Sequence, residues 1–121
     1  MPESSTRDVV RGYYEAWTSR DLDRARGYLA DDLDFQGSLR RYNSADDFIP
    51  ALEQFLQILE EVRMLKELYE GEDAMMLYDC VTGAAGTIRT AEAFTVRDGK
   101  IREIKLVFDP TELNRLGRQP E

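Results

Sequence analysis

A chain of 121 residues, 42% hydrophobic and 33% charged, is sized for one domain with one substantial core, too polar to span a membrane and too apolar to stay disordered. Its 24 acidic and 16 basic residues leave a net charge of −8, which argues against nucleic acid or an anionic membrane surface as partner, since both require clustered Lys and Arg. With no histidine and a single cysteine, Cys80, it forms no internal disulfide and offers no usual zinc or non-haem iron site, so proton transfer near neutral pH falls to Asp, Glu, Tyr, Lys or that thiol.

The opening MPESSTRD has no apolar run of the signal-peptide kind, and the expected location is cytoplasmic. Ser5 followed three residues later by Asp8 is a variant of the capping box and predicts a first helix to about residue 20. Val9, Val10, Tyr13, Tyr14 and Trp17 recur there at helical spacing. Core packing accounts for Val9, Val10 and Trp17, whereas a buried Tyr13 needs a partner for its hydroxyl. Asp21 caps a second, shorter helix that carries Leu22, Ala25, Tyr28 and Leu29 inward and ends near the acidic residues 30–32. A brief strand is expected over residues 33–35, then a loop through Gly37, Arg40, Arg41 and Tyr42. Ser44 and Asp47 repeat the capping pattern, and the third helix is expected over residues 45–60, with Pro50 tolerated because it lies near the first turn.

From Val62 the apolar period becomes strand-like, and residues 71–73 read as a turn. Residues 74–96 read as a β-hairpin around a Gly/Ala/Thr turn. If its strands pair symmetrically about residues 82–87, Met75, Leu77, Asp79 and Val81 share a face with Ile88, Thr90, Glu92 and Phe94. Asp79 and Glu92 would then interrupt a covered apolar surface, where a carboxylate is costly unless paired, hydrogen-bonded or protonated. Cys80, beside Tyr78 on the other face, is expected to be a small packed group. Asp98-Gly99 is a two-residue turn leading to a last strand over residues 100–108, and Asp109-Pro110 starts a terminal helix with Asp109 as its cap. The order is an α+β layout: a meander of about four antiparallel strands, curled, with three helices on its concave face, leaving a cone whose open end is a natural ligand cavity.

The aromatic first helix, DLDRARGYLADDLDF, the loop, the third helix and AEAFTVRDGKIREIKLVFD together resemble the nuclear transport factor 2-like superfamily, and within it the SnoaL-like polyketide cyclase and ketosteroid isomerase branch. The resemblance runs from about residue 9 to residue 113 of a single 1–121 domain. It implies a cone-shaped, cystatin-like roll, often a homodimer through the outer sheet face, with activities that include isomerases, cyclases, dehydratases, epoxide hydrolases and non-catalytic binders. Carried over by position, it implies that Tyr13 and Glu92 fill the two oxyanion-donor places of the isomerases. The isomerase base falls on Gly37 and is missing, and the last-strand acid of the epoxide hydrolases falls on Leu106.

These readings give Asp79, Glu92 and Tyr13 as catalytic candidates: a protonated Glu92 and Tyr13 as donors to a carbonyl or enolate oxygen, and Asp79 as base. Trp17, Leu77, Phe94, Leu106 and Phe108 are the expected apolar wall. No cofactor or metal is expected, and the partner is a small apolar or carbonyl-containing ligand. The reaction class would be isomerisation, cyclisation or dehydration. A buried Tyr13–Glu92 hydrogen bond serving only structure is the competing account of the same residues. Two other functions stay open: a binding protein for an apolar metabolite, or a dimerisation domain using Met76, Tyr78, Ala91, Ala93 and Val107 on the outer sheet face.

Overall fold

The computed structural model describes residues 5–118. In chain order the elements are α1 (Thr6–Thr18), α2 (Leu22–Gly27), β1 (Leu29–Gln36), β2 (Arg41–Tyr42), α3 (Ala45–Leu56), β3 (Leu59–Glu70), β4 (Asp73–Thr82), β5 (Gly86–Arg97), β6 (Lys100–Phe108) and α4 (Thr111–Arg118). The helix starts lie where the capping residues place them. Ser5 Oγ accepts from the Asp8 amide and Ser44 Oγ from the Asp47 amide, each at 3.1 Å, and Asp21 caps α2 through the Arg24 amide.

The helix ends differ from expectation, for reasons outside the helices. α2 stops at Gly27 because the chain is drawn into the sheet at once: Tyr28 O accepts from the Ile101 amide at 2.9 Å and Leu29 pairs with Ile101. β1 is consequently longer than the three residues expected. α3 ends at Leu56, four residues early, where the Arg20 guanidinium donates to Leu56 O and Leu59 O, both at 2.6 Å. The Leu56 carbonyl would otherwise be open at the helix C-terminus, and the bond to Leu59 O ties the turn to the start of β3. Arg20 reaches them from a left-handed backbone conformation, φ 70°, in the α1–α2 turn.

The sheet has six strands in the order β2-β1-β6-β5-β4-β3. Its neighbours are antiparallel except β1 and β6, which run parallel, so the expected all-antiparallel sheet is corrected at that one place. Register shifts in β1, β3 and at Thr95/Val96 mark irregularities of the kind that bend strands and deepen curvature. α1 lies across β3 to β6, and α3 lies on β1, β2 and β3. Between helices and sheet sits the core, including Val10, Tyr13, Trp17, Leu29, Leu33, Met76, Tyr78, Ile101 and Ile104. No helix among the described residues is long and apolar enough to cross a membrane.

The register of the β4–β5 hairpin decides what faces this core. Thr82 pairs with Gly86 across a three-residue loop, so Cys80 faces Ile88, Tyr78 faces Thr90, Met76 faces Glu92 and Ala74 faces Phe94. The Thr82 hydroxyl closes the turn, accepting from the Ala85 amide and donating to Gly86 O, both at 2.8 Å, while Gly86 takes φ 71°. An odd loop shifts the expected pairing by one residue, and a one-residue slip moves a whole strand face to the other side. Met75, Leu77, Asp79 and Val81 therefore lie on the outer face, and Met76 and Tyr78, expected there, lie inside.

Candidate functional site

On the inner face the period of β5 presents Ile88, Thr90, Glu92, Phe94 and Val96, all buried. Glu92 is 2% exposed, flanked across the strands by Met76 and Leu106. A carboxyl among these neighbours resists ionising: burial pushes its pKa up from the ordinary 4.5 to about 7, against the opposing pull of a hydrogen bond from Tyr78. The Tyr78 hydroxyl donates to Glu92 Oε1 at 2.7 Å. Tyr78 is itself buried, and the loss of water together with the nearby Glu92 charge raises its pKa well above 10, so it stays a donor at any ordinary pH.

Tyr13 comes to this cluster from α1. It is buried, its ring meets Phe94 edge-on at 6.2 Å, and burial followed by the charge of Glu92 raises its pKa well above 10. The structure thus brings Tyr13 and Glu92 into one cluster, but the hydroxyl bonded to the carboxyl belongs to Tyr78. Cys80, on the same face, has its thiol pushed up to about 12 by burial and is a packed group with no reactive thiolate.

Asp79 is not part of this site. It sits on the outer face opposite Arg89, whose Nε and Nη2 reach its two oxygens at 2.8 and 2.9 Å. That bidentate bond holds the Asp79 carboxyl below its usual range, the reverse of what a general base requires. The assignment of Asp79 as base facing Glu92 is overturned by the hairpin register.

Of the expected apolar wall, four residues are on the core side. Trp17 packs on Tyr78 at 5.8 Å between ring centroids, Phe94 is fully buried, and Leu106 and Phe108 are half-buried on the inner face of β6. Leu77 faces outward, opposite Ala91, and is removed from the wall. At Gly37 a side chain has little room: a Cβ would come within 2.9 Å of Phe35 Cε1 and 3.1 Å of Arg40 O. The Phe35 ring that fills this place stacks on Phe48 at 4.3 Å and tilts against Tyr42 at 5.8 Å. At the position where the resemblance implies an isomerase base, Gly37 is followed in space by an aromatic trio, Phe35, Tyr42 and Phe48.

Tyr78 is the residue that sequence reasoning missed. The signal for it was Thr82, whose hydroxyl favours a tight local turn with Gly86 at positive φ and hence an odd loop. A shallow open depression of about 290 Å³ lies elsewhere, lined by Arg20, Leu22, Glu53, Leu56 and Gln57, and shares no residue with the Glu92 cluster.

Residues 10–104 match the SnoaL-like domain family. The fold is similar to that of a Kribbella flavida protein of known crystal structure, with TM-score 0.85 and 31% identity over 92% of this chain and 93% of that one. It is also similar to a putative polyketide cyclase from Sinorhizobium meliloti, TM-score 0.75 and 18% identity over 82% of this chain and 93% of that one. A steroid delta-isomerase from Pseudomonas aeruginosa gives TM-score 0.78 and 18% identity over 97% and 90%. The last two likenesses establish fold alone. No protein of curated function matches the sequence.

Proposed function

The chain belongs to the SnoaL-like domain family, and from that premise we propose that it binds a small, mostly apolar molecule bearing a carbonyl oxygen and transfers a proton to or from it through a buried inward carboxyl, Glu92. The observation that carries this reading is a carboxyl 2% exposed on the core face and bonded to the Tyr78 hydroxyl, where burial pushes its pKa up to about 7. Near neutral pH such a group is half protonated, so it can donate to a developing oxyanion in one form and accept a proton in the other. The neutral tyrosines Tyr13 and Tyr78 supply polar contacts in a site otherwise made of Phe94, Leu106, Phe108 and Trp17. Enolisation, aldol-type cyclisation or dehydration of a carbonyl compound, without a cofactor, is the class of chemistry that fits.

A second reading has its own support. Gly37 and the Phe35 ring leave the isomerase base place empty of any carboxyl, which favours binding without turnover. β-Tetralone separates the two, because its acidic carbon–hydrogen bonds exchange with deuterated water when a base touches them. The expected result is quenching of Trp17 fluorescence on binding and deuterium uptake that Glu92→Gln abolishes. Binding with no uptake selects the second reading. No binding of this ketone or of naphthol by the folded protein sinks both.

We further propose that a second copy of the chain covers the outer sheet face. Leu65, Leu68, Met75 and Val107 lie on that side, with Leu68 61% and Val107 65% exposed, and cross-strand pairing joins Leu68 to Met75 and Met75 to Ala93. So contiguous an exposed apolar surface is the usual mark of a protein interface.

A further inference from the structure

We propose that Tyr78 is the positioning residue of this site: by donating to Oε1 it fixes the orientation of the Glu92 carboxyl, leaves the other oxygen for the ligand, and sets the acidity at which the group works. The inference rests on the reading of Glu92 as the reacting group and adds a second residue to it.

The geometry supports it from both ends of the bond. At one end, the Tyr78 ring is held between Trp17 at 5.8 Å and Tyr14 at 6.1 Å, so packing restrains the ring that carries the hydroxyl independently of the hydrogen bond. At the other, the carboxyl accepts at 2.7 Å, a length suited to a donor that stabilises negative charge. Burial drives Glu92 towards its neutral form and the Tyr78 bond drives it back, and the balance falls at about 7. Without the bond only the upward push would remain.

The other elements around Glu92 offer no substitute. From α1 comes Tyr13, neutral and pressed edge-on against Phe94. From β4 comes Cys80, also neutral. Glu67 of β3 lies in the same cross-strand row, beyond Met76, but is tied to Arg11 at 2.7 Å and accepts from the Tyr69 hydroxyl at 2.8 Å. β6 contributes Ile104, Leu106 and Phe108 to the inner face; the buried residues of α3 are Ala45, Phe48, Leu52 and Leu56, and β1 adds Leu33 and Phe35, none of which titrates. Among the described residues, Tyr78 is the side chain that donates to Glu92.

The test is carboxyl-carbon NMR of Glu92 across pH in the intact protein, with the Glu92→Gln spectrum identifying the signal. Tyr78→Phe keeps the ring and its packing on Trp17, and the Glu92 midpoint is expected to rise by about one pH unit or more, a tenfold change in ionisation. Tyr13→Phe should move it less. A ring-fluorinated tyrosine at the same position is a stronger donor and should move the midpoint down, which decides the matter if the phenylalanine variant does not fold. A residue that only fills space would leave the midpoint where it is under both changes, and that result overturns the proposal. Because no ligand is needed, a shifted midpoint with no ketone binding would remove the proposed function while leaving Tyr78 as the group that tunes Glu92.

Discussion

Glu92 ties the stability of the molecule to pH. Below 4.5 the group is protonated in both the folded and the unfolded chain, and above about 7 it is ionised in both. Between those values only the unfolded chain releases its proton, so the folded state loses ground as pH rises, by about 3 kcal/mol across the window. Glu92→Gln removes this dependence while still accepting from Tyr78. Urea unfolding is expected to show the variant gaining on the parent by about 3 kcal/mol between roughly pH 4 and pH 8. Parallel stability profiles for the two proteins would mean that Glu92 is not buried as described. The inward acid itself was legible in the sequence, since AEAFTV alternates and Phe94 and Val96 are apolar partners of the same face. Its hydrogen-bond donor was harder to read, because Tyr78 lies on another strand and the relative phase of the two strands is set by the turn that joins them, where Thr82 is the one signal.

Single elements are held by contacts that local propensity does not register. Gly12 interrupts α1, where a glycine costs about 1 kcal/mol relative to alanine. A Cβ there would overlap Tyr28 Cζ and Oη, so the ring of the residue after α2 lies against the bare backbone of α1. Gly12→Ala is therefore expected to lower stability by about 1 to 2 kcal/mol despite its better propensity, by expelling that ring. In a Tyr28→Ala background the same change should raise stability by about 1 kcal/mol. Thermal unfolding of the four proteins measures this cycle, and an effect of the same sign in both backgrounds would contradict the assignment. The helix starts at Ser5, Asp21 and Ser44 were readable because a cap is a contact within three residues. The ends of α2 and α3 were not, since Ile101 and Arg20 terminate them from elsewhere in the chain.

At the scale of the whole molecule, the two faces of the sheet do different things. The inner face carries the core and Glu92. The outer face carries Leu65, Leu68, Met75 and Val107 together with the Asp79–Arg89 pair. Edge strand β3, with charged Glu60, Glu61, Arg63, Lys66 and Glu70 and two register shifts, is protected against edge-to-edge pairing, which leaves the face as the surface available for a second copy. Sedimentation equilibrium is expected to find a dimer that Leu68→Glu with Val107→Glu converts to a monomer of unchanged circular dichroism. A monomeric parent protein at high concentration would refute the outer-face dimer.

The sequence by itself determined the α+β order of elements, the family, the helix caps and the presence of a carboxyl within the apolar face of the penultimate strand. All of these rest on interactions between residues a few positions apart, or on a periodicity that each segment carries alone. Only the tertiary structure decided that Asp79 points away from Glu92, that Tyr78 holds the acid, that β1 runs beside β6 and that an aromatic ring occupies the place next to Gly37. Each of those depends on how one segment is phased against another. A single residue in the β4–β5 loop was enough to exchange the faces, because side chains alternate with a period of two while nothing within a strand records which of its two faces its neighbour will share.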